Sequence, residues 1–529
     1  MYKFSLILNT IIHLKPIQIR YQLWYRIHRY WRNAIRFNYP LSITKEGHPL
    51  KLIPWIEKPV SFNENTFSFL NKSKTFRIKE INWDFSEYGK LWTYNLNYFG
   101  FLLQPEIDIK TGKLIITNFI QNAKQNSIGI EPYPIALRGI NWIKFFSQYS
   151  ILNTQYSNSL YAQYQILLNN LKYHLLGNHL LEDGFSLLFG AFYFEDQKLY
   201  KKAKEIIESE LEEQILEDGG HFELSPMYHQ IILDRLLDCI NLFLNNHRFK
   251  GQDNLLELMK NKAMLMLAWL ELMTFSNGEI PLFNDSAPGI APTTEQLLKY
   301  AKTLNFKLST RNSRLSTSGY RRFNGNNYEC ILDIGQIGPN YQPGHAHADT
   351  FNFILNVNNK PLIIDTGIST YNPGERRTKE RGTTAHNTVT ILDKNSSEVW
   401  SSFRVARRAK VKIIKEENKT IIAQHDGYQK LRTTHQRTWI FSENKIQISD
   451  TLTGKTTKGK AYLWLTPELK PIQKGHTIEV GMANLTFENA DSIRLITTQI
   501  PIGYNHFSNS IKIEIEFNVH SKLIVTAKS

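Results

Sequence analysis

The segment 344–350, GHAHADT, places two histidines and an aspartate at alternate positions, with alanines between them. Imidazole and carboxylate groups in this pattern can bind a metal ion, transfer a proton or form hydrogen bonds at a polar surface. Residues two apart share one face of a β-strand, so the spacing predicts that His345, His347 and Asp349 point the same way. Residue types alone leave all three chemistries open.

The same alternation continues beyond this segment. Phe351, Phe353, Leu355 and Val357 keep the parity of the histidines, and polar residues lie between them. Such alternation is typical of a half-buried strand. The pattern predicts one strand whose first part lines a site and whose second part enters a core.

Two further polar clusters lie nearer the N-terminus. GNHLLEDG brings together Asn178, His179 and Glu182, and the last two are neighbours on one face of a helix. DGGHFELSPMYHQ places Tyr228 just after a turn that leads into a helix. Each cluster by itself is also typical of helix caps and buried polar residues, so neither specifies a reaction.

The periodicity of apolar residues changes once along the chain. From about Phe119 to Leu304 they recur at helical spacing, and after about Thr310 they form short alternating runs. This order predicts a helical domain followed by an antiparallel β domain. The predicted divisions are an N-terminal extension with a basic-aromatic helix at 1–90, a helical domain at 91–308 and a β domain at 309–529.

Composition restricts the class of partner. The chain has 529 residues, only two cysteines and a formal net charge of +15. Two cysteines exclude a disulfide framework and a thiolate-rich metal site. The positive charge favours a polyanion, which could be nucleic acid, anionic lipid or acidic polysaccharide. Because the sequence has no RNA-binding aromatic signature, zinc-finger spacing or P-loop, we expect no nucleic-acid partner.

The N-terminus begins with a short apolar run, KFSLILNTIIHL, followed by the basic-aromatic stretch KPIQIRYQLWYRIHRYWRNAIR. The apolar run is interrupted by polar residues and has no small-residue cleavage site, so we predict no cleaved signal peptide. Two interpretations of the basic stretch stay open: a helix on an anionic membrane surface, or an amphipathic helix packed on the body of the protein.

Seven segments, taken in order, resemble the heparinase II/III family of polysaccharide lyases, which includes related oligoalginate lyases. They are WTYNLNYFGFL, RGINWIKF, GNHLLEDG, DGGHFELSPMYHQ, GHAHADTFNFIL, DTG and TAHNTVTILDKNSSEVWSSFRVARRA. The resemblance implies an incomplete α/α toroid followed by an antiparallel β-sandwich, with the active site between them. It also implies β-elimination on an acidic, uronic-acid-containing polysaccharide.

The resemblance also assigns roles to the polar clusters. Asn178 and His179 resemble the pair that neutralises the substrate carboxylate and abstracts the proton. Tyr228 resembles the catalytic tyrosine, which acts as acid and, for some sugar epimers, as base. His345 resembles the histidine that helps to neutralise the carboxylate, and Glu182 corresponds to an acidic residue that only some members use.

Further residues are candidates for substrate contacts. Tyr371 in STYNPG is a candidate site tyrosine. Arg138, Arg376 and Arg381 carry guanidinium groups that suit carboxylates or sulfates, although ordinary surface arginines need no ligand. The predicted substrate-binding residues are therefore Glu182, Arg138, Tyr371 and Arg381.

A zinc ion is the cofactor that the resemblance implies. Its ligands would be His347, Asp365 of IIDTG and His386 of TAHNTV, and the ion would tie together three β segments. Asp349 would then orient a ligand and not bind the metal itself. The alternative is a hydrogen-bonded cluster without metal.

Three functions stay open at this point. They are a lyase active on an acidic glycan, a non-catalytic glycan-binding protein of surface-polysaccharide biosynthesis, and a zinc-dependent hydrolase. The family implies the bacterial cell envelope or periplasm, while the missing signal peptide favours a cytoplasmic or membrane-peripheral location. The sequence does not identify the sugar.

Overall fold

The computed structural model describes residues 2–307 and 314–528. The predicted change of periodicity at Thr310, and the predicted division between residues 308 and 309, therefore lie outside the described residues.

Helices dominate the first part of the chain. The α-helices of the described residues are α1 Tyr2–Ile11, α2 Pro16–Ala34, α3 Lys90–Tyr98, α4 Ile109–Asn122, α5 Pro132–Gln148, α6 Thr154–Leu168, α7 Gly177–Phe194, α8 Gln197–Gln214, α9 Pro226–Asn245, α10 Gln252–Met273, α11 Thr294–Thr303 and α12 Glu375–Glu380. Among them, none combines the length and the apolar content of a membrane-spanning helix.

Local sequence sets where several helices begin. The side chains of Asp108, Asn153 and Asp196 each accept a hydrogen bond from a backbone N–H in the first turn of α4, α6 and α8. A cap of this kind stabilises a helix by about 1 kcal/mol because those N–H groups have no partner within the helix.

Helix α7 runs through the centre of the helical part and packs against α5, α8 and α9. Every residue of α7 is buried except His179, which is partly exposed. A helix that is buried on all sides needs small residues where its neighbours approach, and at Gly184 an added Cβ would lie 2.8 Å from Ile206. The N-terminus of this central helix carries the GNH sequence.

Strands dominate the second part. The strands are β1 Phe62–Asn63, β2 Thr66–Phe69, β3 Lys72–Thr75, β4 Tyr320–Asn324, β5 Tyr328–Asp333, β6 Phe353–Val357, β7 Lys360–Ile363, β8 Val389–Ile391, β9 Val399–Trp400, β10 Arg404–Val405, β11 Val411–Glu417, β12 Thr420–His425, β13 Thr433–Phe441, β14 Lys445–Gly454, β15 Lys458–Trp464, β16 Ile472–Lys474, β17 Thr477–Val480, β18 Ala483–Glu488, β19 Ser492–Gly503, β20 His506–Asn518 and β21 His520–Ala527.

The strands after residue 314 form three main sheets. Their orders are β4-β5-β6-β7, β19-β20-β15-β8 and β11-β12-β13-β14-β21-β18-β17-β16. Every paired strand in them is antiparallel. Their inward-facing side chains form one apolar core. The predicted helical part followed by an antiparallel β part is confirmed.

The predicted start of the strand, at GHAHADT, is wrong. Residues 344–352 form no strand, and β6 begins at Phe353. Phe351 has a φ of +71°, in the left-handed region, so extended pairing cannot continue through it. The predicted core parity is confirmed, because Phe351, Phe353 and Leu355 lie in one buried apolar cluster with Val357.

The helical and β parts share a buried apolar cluster. Leu224 and Trp269 from the helical part pack with Tyr320, Ile331 and Ile354 from the β sheet. The hydroxyl of Tyr320 also donates a hydrogen bond to the carbonyl of Leu224. This joint holds the start of α7, the start of α9 and the GHAHADT segment next to one another.

His229 in α9 belongs to the core and not to the site. Its ring is fully buried, its centroid lies 4.3 Å from that of Trp269, and Nε2–H donates to the Met266 carbonyl at 3.0 Å. Burial lowers the pKa of His229 to about 3. The ring is therefore neutral in the folded protein at pH 5, whereas an unfolded chain would protonate it.

We expect His229 to make the protein less stable in acid. Its contribution is complete above a pH of about 6.5 and is lost as pH falls toward about 3, because the unfolded chain binds the extra proton in that window. From pH 7 to pH 5 the loss is about 2 kcal/mol of unfolding free energy. Urea unfolding at pH 7 and pH 5 measures this loss. The unfolding free energy of His229→Gln should decrease less between the two pH values than that of the wild type, whereas the exposed control His476→Gln should decrease as much as the wild type. Equal decreases in both variants would contradict the assignment.

Candidate active site

The N-terminus of α7 provides the first site residue. Gly177 has a φ of +62°, and an added Cβ there would lie 2.6 Å from Glu223 Oε1. Glycine is therefore required both by the backbone conformation and by the close approach of a carboxylate. This arrangement places Asn178 and His179 in the first turn of the helix.

Asn178 is held by Glu223. The carboxylate accepts from the Asn178 backbone N–H at 3.1 Å and from Nδ2 at 2.6 Å. Nδ2 also lies 3.3 Å from Nε2 of His345, which comes from the β part. The Oδ1 atom of Asn178 is buried and forms no hydrogen bond within the described part of the chain. The amide thus joins the helical half of the site to the β half.

The start of α9 provides Tyr228. Ser225 caps this helix by accepting from the Tyr228 backbone N–H at 3.2 Å, and Pro226 occupies the first helical position. The predicted turn around Pro226 is confirmed. The Tyr228 ring stacks on His345 with centroids 3.9 Å apart, and its hydroxyl lies 3.1 Å from that of Tyr371.

His345 lies between two carboxylates. Its Nδ1–H donates to Asp285 Oδ2 at 2.9 Å, while Nε2 is 3.7 Å from Glu223 Oε2. On its other sides are the rings of Tyr228 and Phe403. These contacts fix the imidazole between the α7 and α9 N-termini, where it can interact with an anionic ligand.

Asp285 connects the two histidines of GHAHADT. It accepts from His345 through one oxygen and from His347 Nε2 through the other, both at 2.9 Å. Arg377 donates to both oxygens, and all of these groups except the edge of His345 are fully buried. Burial alone would raise the pKa of Asp285, but the Arg377 charge and the two imidazole hydrogen bonds hold it well below its usual range. Asp285 is therefore a permanent anion that orients both rings.

Electrostatics keep the Tyr228 phenol protonated. Burial raises its pKa well above the usual value, and the negative charges of Asp285 and Glu223 raise it further. Tyr371 responds in the same direction, with burial again the main cause. In the free protein both groups are therefore hydrogen-bond donors and not phenolates.

His179, unlike the two tyrosines, is a hydrogen-bond acceptor because its imidazole is neutral. Burial lowers its pKa to about 3, with a smaller contribution from the positive charge of Lys172. Its ring lies 4.7 Å from that of Tyr133, and Nδ1 has no hydrogen-bond partner among the described residues. As the single partly exposed residue of α7, His179 presents an unprotonated imidazole to the site.

The predicted zinc ligands lie behind this cluster. The rings of His347 and His386 are 5.2 Å apart, and His386 Nδ1–H donates to Asp365 Oδ2 at 2.8 Å. Nδ1 of His347, Nε2 of His386 and Oδ2 of Asp349 are buried, and none forms a hydrogen bond within the described residues. These free donor atoms fit a zinc ion by type, but the carboxylate among them is Asp349. Both oxygens of the predicted ligand Asp365 accept hydrogen bonds, from Asn352, His386 and the Gly367 backbone. In the described part of the chain, however, no three His, Cys, Asp or Glu side chains are arranged as a metal site.

Two predicted substrate contacts are corrected by the structure. Arg138 is fully buried, and donates to Gln163 Oε1 and to the carbonyls of Asn97 and Gly129. Arg381 is equally buried, and donates to carbonyls that include Ala346 in the GHAHADT segment. Both guanidinium groups hold loops in place and have no free face for a ligand.

Glu182 and Tyr371 differ in their relation to the site. Glu182 is buried one turn beyond Asn178, where Arg235 Nε lies 3.4 Å from its carboxylate. It therefore has no direct route to a ligand. Tyr371 is partly exposed and contacts Tyr228 and Phe403, so the structure brings it into the site as predicted.

Three residues of the cluster were not assigned from the sequence. Glu223 lies within a quoted motif, but nothing marked it as the partner of Asn178. Asp285, in LFNDSAPG, is 60 residues from His345 and has no spacing relation to it. Among the arginines of GERRTKER, the sequence could not distinguish Arg377 from its neighbour Arg376, which lies over the Phe507 ring.

Comparison with known proteins decides the family. The model described as "Heparinase II/III N-terminus" matches residues 145–307, and "Heparinase II/III-like, C-terminal" matches residues 308–526. This chain belongs to the heparinase II/III family. The two matched segments include every residue of the clusters around Asn178, Tyr228 and His345.

Individual relatives within the heparinase II/III family are distant. A heparin-sulfate lyase of Bacteroides stercoris is 26% identical over 305 residues, which are 52% of this chain and 43% of that protein. The chain thus matches less than half the length of this curated relative.

Solved structures support the fold. Heparinase III superposes with a TM-score of 0.66 at 16% identity, covering 86% of this chain and 81% of that one. The heparan sulfate lyase of Pedobacter heparinus gives 0.55 at 17% identity, covering 88% and 81%. The predicted architecture, a helical toroid followed by a β-sandwich, is confirmed by these neighbours.

Proposed function

We propose that this protein is a polysaccharide lyase that cleaves a uronic-acid-containing acidic glycan by β-elimination. The observation that supports it best is the meeting of Asn178, Tyr228 and His345 at the joint between the helical and β parts. An amide, a phenol and an imidazole in one place are the groups that this reaction requires. The positive charge of the chain, +15, suits an acidic substrate.

The first requirement is to neutralise the substrate carboxylate. The proton on the adjacent carbon is very weakly acidic, because its removal produces a second negative charge on the same group. Donors that are already oriented stabilise that charge without reorganisation. We assign this work to Asn178 and His345, whose positions are set by Glu223 and Asp285. Because the Nδ1–H of His345 is used by Asp285, the ring needs a second proton, on Nε2, to donate to the substrate carboxylate.

The second requirement is a base and an acid. A base removes the proton from the carbon beside the carboxylate, and the electron pair of that C–H bond forms the new carbon–carbon double bond. The bond to the glycosidic oxygen breaks, and this oxygen leaves with a proton from the acid. The protonated Tyr228 is suited to donate that proton, with Tyr371 at 3.1 Å as its hydrogen-bond partner. His179, whose imidazole is neutral and partly exposed, is suited to accept one.

The reaction can be tested directly. Purified protein is incubated with heparan sulfate, heparin, alginate and other uronic-acid glycans, and the ultraviolet absorbance of the unsaturated product is recorded. A lyase produces this absorbance together with new chain ends. Cleavage without absorbance would favour the zinc hydrolase, and binding without cleavage would favour a glycan-binding protein of polysaccharide biosynthesis. Because the named relatives are heparin and heparan sulfate lyases, we expect a glycosaminoglycan to be cleaved.

We propose that His347, Asp365 and His386 hold one zinc ion, and that Asp349 orients a ligand. The unpartnered ring nitrogens support this role, and His347 is suited to it because its Nε2–H is used by Asp285, which leaves Nδ1 as a lone-pair donor. Because Asp349 Oδ2 is the unpartnered carboxylate oxygen, whereas both oxygens of Asp365 accept hydrogen bonds, Asp349 is the alternative third ligand. Bound there, zinc would tie the segment before β6 to those after β7 and before β8. Elimination requires no activated water, so every proton step is left to the residues described above.

Elemental analysis of the unchelated protein should therefore show about one zinc per chain. His386→Ala should lose the metal and unfold at a lower temperature, because the ion links segments that are distant in sequence. His345→Ala should keep its zinc while losing activity, since that ring lies on the substrate side of Asp285. Equal loss of zinc from His345→Ala and His347→Ala would contradict this division of roles.

We also propose a location at the bacterial cell envelope or in the periplasm, where acidic surface polysaccharide is found. A cytoplasmic location is the alternative, and attachment to a membrane surface is compatible with either compartment. Fractionation of the native cells followed by immunodetection distinguishes them.

A further inference from the structure

Helices α1 and α2 leave an unusually large apolar surface uncovered. About half of the large apolar side chains that are exposed in the described part of the chain lie between Phe4 and Phe37. Isolated exposed apolar residues need no explanation, but a concentration of them marks a contact site. This concentration marks the two helices as a candidate contact site.

One face of α2 is fixed against the helical part. Tyr21 stacks on Tyr173 with centroids 4.7 Å apart, and Gln18 Nε2 donates to the Leu175 carbonyl at 3.1 Å. Tyr25 donates through its hydroxyl to the carbonyl of Leu171. Because these residues recur at helical spacing, they set the rotation of the helix about its axis.

The opposite face of α2 is apolar and points away from the body. Ile19, Leu23, Ile27 and Tyr30 recur at intervals of four, four and three residues, so they form one stripe. Leu23, Ile27 and Tyr30 are 55%, 64% and 80% exposed. Of the two interpretations of this stretch, packing on the body therefore holds for one face, and the second face is left free.

Helix α1 repeats this arrangement. Leu6 and Thr10 are buried, and Trp400 of the β part donates through Nε1 to the Thr10 hydroxyl at 3.1 Å. Phe4 and Leu8, on a different side of the helix, are 71% and 52% exposed. Both N-terminal helices thus have one face that contacts the protein and one that is apolar and open.

The charge of the segment identifies the class of partner. Residues 1–45 contain eight lysines and arginines and no aspartate or glutamate. Arg20, Arg26 and Arg29 on α2 are exposed, and within the described residues they form no ion pair. An apolar stripe bordered by unpaired arginines complements a surface that is negative outside and apolar beneath.

We propose that α1 and α2 bind the surface of a membrane that contains anionic lipids, with the apolar stripe at the boundary between headgroups and acyl chains. This goes beyond the proposed lyase function and does not depend on it. Three of the four stripe residues are aliphatic, which favours lipid over a glycan because sugar rings stack on aromatic faces and gain little from branched aliphatic side chains. The exposed Trp24, Tyr30 and Trp31 suit the headgroup level of a membrane. A polar glycan surface would leave Ile19, Leu23 and Ile27 exposed to water.

The test is co-sedimentation of the full-length protein with vesicles of phosphatidylcholine alone, or of phosphatidylcholine mixed with phosphatidylglycerol. We expect binding to the anionic vesicles to be at least ~10-fold tighter, and to weaken as salt is added. Leu23→Asp/Ile27→Asp should reduce that binding at least ~10-fold, since charges on the stripe oppose insertion. The matched control is Leu152→Asp/Leu392→Asp, which alters two residues that are equally exposed elsewhere.

Each other outcome would overturn the proposal. Equal binding by the two double variants would mean that the stripe does not contact lipid. If the wild type binds no vesicles but forms dimers that Leu23→Asp/Ile27→Asp dissociates, the surface is an interface between two copies. If the wild type binds no vesicles and the variant loses affinity for heparin, the surface binds glycan. Neither double variant alters a residue of the candidate active site, so both should cleave a soluble glycan as the wild type does. The vesicle test therefore gives its answer whether or not the lyase assignment is right.

Discussion

Replacing Tyr228 with phenylalanine should reduce turnover on a confirmed glycan by at least ~10²-fold, the lower range for loss of a general acid. The substitution removes one oxygen and keeps the ring, so the stacking on His345 at 3.9 Å is preserved. What is lost is the proton that the phenol donates to the leaving oxygen. Steady-state kinetics by product absorbance measures the effect, and we expect it in kcat more than in KM.

A matched control separates this effect from general damage. Tyr164 is a buried tyrosine of α6 whose hydroxyl accepts from Ser186 Oγ at 3.4 Å and touches no residue of the site. Tyr164→Phe should retain turnover within a few-fold of the wild type. Normal turnover in a folded Tyr228→Phe protein would show that the phenol is not the general acid, even though it lies in the site.

Asp285→Asn should have the largest combined effect on stability and activity. Asparagine keeps the size of the side chain but removes the charge, which leaves Arg377 fully buried without a counter-ion. Breaking a buried ion pair from one side costs about 3–5 kcal/mol of unfolding free energy. His345 and His347 also lose the acceptor that orients them, so kcat/KM of the folded protein should fall ~10–100-fold. Urea unfolding and steady-state kinetics measure the two effects separately.

The β-sandwich provides a chemically matched control. Asp450 accepts from His435 Nε2 at 2.7 Å and binds Arg437 through both oxygens, so it repeats part of the arrangement of Asp285. Arg437 also donates to the carbonyls of Phe351 and Asn387, but within the described residues Asp450 forms no hydrogen bond with Asn178, Tyr228 or His345. Asp450→Asn should lose a similar amount of stability, yet keep the specific activity of whatever protein is folded. If Asp285→Asn and Asp450→Asn lose specific activity to the same extent, Asp285 stabilises the fold but does not position the site.

Secondary structure is the feature of this protein that its sequence predicts best. The change from helical spacing to alternation, and the core parity of Phe353, Leu355 and Val357, are local patterns, and the structure reproduces them. The exception was the strand predicted at His345. A left-handed residue at Phe351 ends the pairing there, and no propensity marks such a residue, because its conformation is stabilised by tertiary contacts.

The site residues divide in the same way. Asn178, Tyr228, His345 and Tyr371 are candidates from motifs, and the structure brings them together, each on a helix start or a short loop. Arg138 and Arg381 were misplaced as substrate contacts, since a sequence does not distinguish an arginine that binds ligand from one that binds buried carbonyl oxygens. Burial and the number of satisfied N–H groups decide that question, and both depend on chain segments that are distant in sequence.

The sequence by itself determined the order of the domains, the family and the residue types that carry chemistry, because periodicity and short motifs are local properties. Only the tertiary structure decided which charges meet. Asp285, Glu223 and Arg377 reach the site from three separate segments, and their contacts hold the pKa of Asp285 well below its usual range. The tertiary structure also decided that α2 packs through one face and leaves the other free. Both outcomes depend on distances between groups far apart along the chain, and interaction energies follow those distances and the burial around them.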